Sequence, residues 1–170
     1  MRLFIAVLFE QQMLDALTEY QKEFRKIGAV GNYTREENLH LTLAFVGEYG
    51  NPDEVLDALE QVEFEPFEIR LDGVGNFGDL LWGGVTGEEK LAAVAKRLRH
   101  ELAEAGIPFD RKKFRPHVTL IRKVNYRTQQ KLPDVPLRAE GMTVKRISLM
   151  KSERGKNGMV YTEIGAVECE

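Results

Sequence analysis

The stretches NLHLTLAF at 38–45 and RPHVTLIR at 115–122 each set a histidine two residues before a threonine, inside an alternation of apolar and polar side chains. Alternation with a period of two is the mark of a strand buried on one face. Successive side chains along a strand point to opposite sides, so His40, Thr42 and Ala44 share one face while Leu39, Leu41, Leu43 and Phe45 point into a core. In the same way His117 and Thr119 stand against Val118 and Leu120. The two stretches lie 77 residues apart and take up two of the three histidines in the chain. Any fold for this sequence has to carry two matched polar strand faces.

The pattern around them supplies the rest of the frame. Residues 2–8 read as a buried strand, and Met13, Leu17, Tyr20, Phe24 and Ile27 then recur at steps of three and four, which predicts a helix stopped by Gly28. The second strand spans 38–46. Asn51 as N-cap, Pro52 at the first helical position and two acids in the first turn open a second helix that runs to about Val62. Alternation at 67–73 and the runs around NFGDLLWGGV predict a strand and a glycine-rich hairpin. A third helix over 88–105 buries Leu91, Val94, Leu98 and Leu102, and His100 falls on its solvent side. A strand at 117–122, a loop holding Pro133 and Pro136, and strands at 143–151 and 158–167 joined by SERGKNG complete the chain. Each half thus offers a long helix followed by a His-x-Thr strand. The expected class is α+β: two pseudo-symmetric lobes, each an antiparallel sheet backed by helices, with a central cleft that receives one His-x-Thr strand from each lobe. Residues 1–170 are expected to form a single bilobal domain.

Composition restricts the function classes. A formal charge of −3 does not suit a protein that coats nucleic acid non-specifically, so any anion site is local. Cys169 is the only cysteine, which excludes a disulfide framework and a cysteine-based zinc site and fits a reducing cytoplasm. The apolar run in MRLFIAVLFEQQ stops at Glu10 without a small-residue cleavage site, and no segment reaches the length of a membrane span.

If the two strands are related by a pseudo-twofold axis, two imidazoles and two hydroxyls converge on one small volume. Phosphodiester chemistry by paired acid and base needs that arrangement, because a nucleophile loses a proton on one side while a leaving oxygen gains one on the other. Histidine suits both roles, with an unperturbed pKa of about 6.5. A zinc centre is the competing reading, but two histidines with no acidic or cysteine-bearing strand beside them leave too few ligands.

HLTLAFVGE followed far downstream by RPHVTLIR resembles the two-histidine phosphoesterase superfamily, specifically the LigT-like RNA 2',3'-cyclic phosphodiesterases once described as 2'-5' RNA ligases. The opening RLFIAV, the LLWGGV strand, the PF before the second histidine and the late SERGKNGMVYTEI hairpin extend the likeness over nearly the whole chain. The resemblance implies hydrolysis of a terminal 2',3'-cyclic phosphate to a 2'-phosphomonoester without metal or cofactor, with reversible 2'-5' RNA joining in some members. It implies His40 as proton donor, His117 as proton acceptor, and Thr42, Thr119 and Arg122 as groups that hold the phosphate oxygens. RNA ends bearing the cyclic phosphate, tRNA halves among them, are the implied partners, met by a monomer in the cytoplasm. Two positions depart from the pattern. Ile121 stands where the family commonly has Ala and is expected to narrow the cleft, and strict alternation turns Arg122 away from His117 unless the strand ends or bulges there.

Arg111, Lys112, Lys113, Arg115, Lys123, Lys151, Arg154 and Lys156 join Arg122 around the second motif and the last hairpin, where they would draw in RNA phosphates. Trp82 and Tyr161 are candidates to stack a terminal base, and Phe45 by its parity belongs to the core. Two other functions use the same residues: a non-catalytic module that binds RNA ends, and a phosphoesterase acting on small cyclic nucleotides or 2'-5' oligoadenylate.

Overall fold

A computed structural model describes residues 1–126 and 138–169. Among the described residues nine strands and three α-helices follow in the order β1 (Arg2–Leu8), α1 (Gln11–Lys26), β2 (Ala29–Tyr33), a 3-10 turn at Glu36–Asn38, β3 (His40–Glu48), α2 (Pro52–Glu60), β4 (Phe67–Phe77), β5 (Leu80–Val85), α3 (Glu88–Glu104), β6 (Val118–Tyr126), β7 (Gly141–Val144), β8 (Arg146–Gly155) and β9 (Gly158–Glu168). The strands form two antiparallel sheets, one ordered β3-β1-β8-β9 and the other β2-β6-β5-β4-β7. The fold is therefore α+β with two lobes, as the pattern predicts. The loop expected at Pro133 and Pro136 lies outside the described residues.

Helix boundaries follow the local chemistry. The Asn51 side chain accepts from the backbone N–H of Asp53 at 3.1 Å, with Pro52 in the first turn of α2, a cap of the kind worth about 1 kcal/mol. Gly28 takes φ +82° just beyond α1, a conformation that costs a glycine nothing. α1 buries Met13, Leu17, Tyr20 and Phe24, and α3 buries Leu91, Val94, Leu98 and Leu102. His100 is exposed.

Three features differ from the sequence expectation. The short strand β2, AVGNY, has only Ala29 buried and so carries no alternation to read. The expected strand at 143–151 is two, because β7 pairs with β4 whereas β8 pairs with β1. The third difference concerns the two long helices, α1 and α3, each of which backs the other half's motif. α1 packs on β2, β6 and β7, while α2 and α3 pack on β3, β8 and β9. The described strands pass between the two sheets four times, from β1 to β2, β2 to β3, β3 to β4 and β7 to β8, and one continuous set of buried side chains runs through both.

β3 and β6 approach each other where the lobes meet, and both are bulged. Opposite β1, Thr42 pairs with Ala6 and Ala44 with Ile5, which leaves Leu43 as an extra residue. Opposite β5, Thr119 pairs with Trp82 and Ile121 with Leu81, which leaves Leu120 as an extra residue. An extra residue interrupts the alternation and re-aims the side chains beyond it. Leu43 and Ala44 both enter the core, as do Leu120 and Ile121, at no more than 1% exposure. The next residue in each strand therefore returns to the face of the His and Thr. Ile121 does not narrow the cleft, because it faces the core. Phe45, expected in the core, lies instead on the opposite face against Phe4 and Met150. Arg122 gains the face of His117 and Thr119.

Candidate active site

Both histidines are held by the same local device. His40 Nδ1 lies 2.7 Å from the carbonyl oxygen of Asn38, and His117 Nδ1 lies 2.7 Å from that of Arg115, in each case two residues back along the chain. A carbonyl can only accept, so Nδ1 carries the proton and Nε2 is left to work. In the neutral His40 ring Nε2 accepts from the Thr42 hydroxyl at 3.0 Å. Thr42 and Thr119 are both partly exposed beside their histidines.

Aromatic rings brace the imidazoles. His40 sits 4.9 Å from the Phe4 ring and 5.2 Å from Tyr161, which meets it edge-on. Tyr161 reaches it because the β8–β9 ribbon curls across this face, where the Met159 carbonyl accepts from Asn38 Nδ2 at 2.9 Å and from the Arg35 guanidinium. His117 packs edge-on at 5.2 Å against Phe77, which also leans on Trp82. Trp82 lies on the Thr119 face over Gly75, where a Cβ would come within 2.3 Å of its ring. Tyr161 thus touches His40 directly, and Trp82 stands one ring away from His117.

Sequence reasoning missed Phe4, Phe77 and Asn38. Phe4 reads as one more apolar residue of a buried strand, and Phe77 sits at the end of a hairpin whose geometry no spacing announces. Asn38 carried a signal only in hindsight of its place two residues before a strand histidine. Of the basic cluster, Lys151 turns to the helix-backed side, opposite Leu3, and pairs with Glu153 at 3.0 Å. Arg111 lies 4.7 Å over the Phe109 ring.

Burial lowers the His40 pKa from its ordinary 6.5, the Asn38 carbonyl opposes that shift, and the charges of Arg122 and His117 add to it. The contact between β3 and β6 brings Arg122 and His117 near enough to His40 for their charges to act on it. Free His40 is then neutral at pH 7, and a bound phosphate anion reverses the charge balance and raises its pKa. An NMR titration of the His40 ring should have its midpoint below 6.5 in the free protein and move upward when inorganic phosphate is added. A midpoint at or above 6.5 without phosphate would contradict the burial argument.

Among the described residues no three His, Cys, Asp or Glu side chains gather in a way that could hold a metal ion, and no helix is long and apolar enough to cross a membrane. The arrangement offers two imidazoles, two hydroxyls and one guanidinium, a set suited to a tetrahedral oxyanion with proton transfer on either side.

The family model of the 2'-5' RNA ligase superfamily matches residues 12–156. Among curated proteins, an RNA 2',3'-cyclic phosphodiesterase of Archaeoglobus fulgidus is 33% identical over 72% of each chain. One of Methanothermobacter thermautotrophicus is 28% identical over 96% of each. Among solved structures, a Thermus thermophilus protein superposes with a TM-score of 0.80 at 30% identity, covering 99% of this chain and 97% of its own. Escherichia coli LigT complexed with 3'-AMP superposes with a TM-score of 0.79 at 25% identity, covering 99% and 96%.

Proposed function

Because the chain belongs to the 2'-5' RNA ligase superfamily, we propose that it is an RNA 2',3'-cyclic phosphodiesterase that opens a terminal cyclic phosphate to a 2'-phosphomonoester without a metal. The observation that carries this is the matched pinning of His40 and His117 by backbone carbonyls at 2.7 Å, which leaves Nε2 of each ring unencumbered by the backbone.

Water attacks phosphorus in line with the 3' oxygen. His117 takes a proton from the water as the new P–O bond forms. His40, protonated in the substrate complex, delivers its proton to the 3' oxygen as the P–O3' bond breaks. The hydroxyls of Thr42 and Thr119 and the guanidinium of Arg122 stabilise the charge on the non-bridging oxygens. With the 5' hydroxyl of a second RNA end in place of water, the same forward proton transfers join the two ends through a 2'-5' linkage, and their reverse cleaves it. On this proposal the substrates are RNA ends, tRNA halves among them, and the chain works as one bilobal domain, a monomer in the cytoplasm.

The test is turnover of an oligoribonucleotide ending in a 2',3'-cyclic phosphate by the purified protein in EDTA, with the 2'-phosphate as the expected product. No turnover, or turnover lost on chelation, would overturn it. The hydroxyls give a graded check. Thr42→Val and Thr119→Val each remove a donor at near-constant volume, and each is expected to lower kcat by roughly 10- to 10²-fold, below the loss of a full oxyanion-hole donor. Melting temperatures should stay close to the parent's, and parental kcat in both variants would return the threonines to ordinary strand residues.

A further inference from the structure

The buried face of α1 is apolar except at one position. Gln21 is 4% exposed and surrounded by core side chains. A buried amide is tolerated when its donors are satisfied, and both are: Gln21 Nε2 donates to the Thr34 carbonyl at 2.8 Å and to the Leu120 carbonyl at 3.0 Å. Leu120 is the extra residue of the β6 bulge, and its carbonyl also accepts from the Thr34 N–H at 2.9 Å.

We infer that Gln21 is a positioning residue: by holding the Leu120 carbonyl it fixes the bulge that turns Arg122 onto the face of His117 and Thr119. This rests on the proposed role of Arg122 at the phosphate. Without the bulge, strict alternation would place Arg122 on the opposite side of β6 from His117. The other lobe repeats the device in looser form. Arg99 of α3 reaches the carbonyl of Leu43, the extra residue of β3, at 3.5 Å, while its other terminal nitrogen donates to the Lys112 carbonyl at 2.7 Å. There the residue that returns to the cleft face is Phe45, so only in β6 does the bulge decide the side on which a charge stands. Both bonds cross from the helix of one half to the strand of the other, as the exchanged packing of the helices requires.

The experiment is a double-mutant cycle on kcat/KM for the cyclic-phosphate oligoribonucleotide, with the parent, Gln21→Met, Arg122→Ala and the double variant. Gln21→Met keeps the length of the side chain and removes both donors. Arg122→Ala is expected to lose roughly 10²-fold and Gln21→Met roughly 10-fold, since a displaced group forfeits part of what its removal would. The double variant should be no worse than Arg122→Ala alone, because Gln21 acts through a side chain no longer there. A defect of general packing would instead lower activity equally in both backgrounds, and losses that multiply overturn the inference, as does parental kcat/KM in Gln21→Met. Should Gln21→Met not fold, Gln21→Asn, which keeps an amide one methylene short, is read by the same cycle. A fully active Arg122→Ala would overturn the inference together with the phosphate role of Arg122, whereas multiplying losses overturn the inference alone.

Discussion

Replacement of either His40 or His117 by Ala is expected to lower kcat by at least about 10²-fold, with the fold intact, because each removes one of two proton transfers worth roughly 10²–10⁴-fold apiece. Both rings lie at the edge of the cleft at the start of their strands, partly exposed, so truncation leaves the core untouched. The parent should show a bell-shaped pH–rate profile, since one imidazole has to be charged and the other neutral. The limbs belong to the pair, because the two rings interact. Each alanine variant should show a single limb in place of the bell. Full activity in either variant would end the acid–base assignment.

The second large effect separates donor from acceptor. If His40 protonates the departing 3' oxygen, a substrate with sulfur at that position needs little protonation, because a thiolate leaves readily. Such a substrate should restore most of the activity of His40→Ala, a recovery on the order of 10²-fold, and do little for His117→Ala, where the water still lacks its base. The measurement is the ratio of kcat on the sulfur and oxygen substrates for each variant. Recovery in the opposite order would exchange the two roles, and a 3'-phosphate product would mean that the cyclic end binds the other way round. The lowered pKa of free His40 makes this experiment the more telling, since a ring that is neutral until the anion arrives acts as an acid only in the complex.

Much of this arrangement was legible in the amino-acid sequence. An apolar run locates β1, alternation locates β3, recurrence at helical spacing locates α1 and α3, the Asn51–Pro52 start locates α2, and the matched His-x-Thr settings identify the pair of strands that matter. What escaped was set by contacts between distant residues. The bulges at Leu43 and Leu120 depend on register against β1 and β5 and, for Leu120, on an amide 99 residues away in sequence. Alternation therefore put Phe45 and Arg122 on the wrong sides, although the need for a bulge at Arg122 could be stated in advance. Phe4 and Phe77 were invisible because an aromatic residue in a strand signals burial and not the neighbour it braces. β2 escaped because Gly31 and Asn32 are exposed and give it no buried face to mark.

The exchange of helices between lobes also governs the order in which this chain can acquire structure. As it leaves the ribosome, β1 and β3 can pair early, since both lie in the first third of the sequence. α1 emerges between them, yet the face that holds Phe24 and Gln21 has only β2 and Thr34 to meet until β6 is synthesised, and β8 arrives later still to complete the sheet around β1. Neither lobe is a stretch of sequence that can be finished before the other begins. Closing such long loops is slow and is rewarded only at the end, so the approach of β6 to β3, which brings the two motifs together, is expected late in folding. The nascent first half, with an apolar helix face only partly covered by β2, carries the kind of surface through which incomplete chains associate.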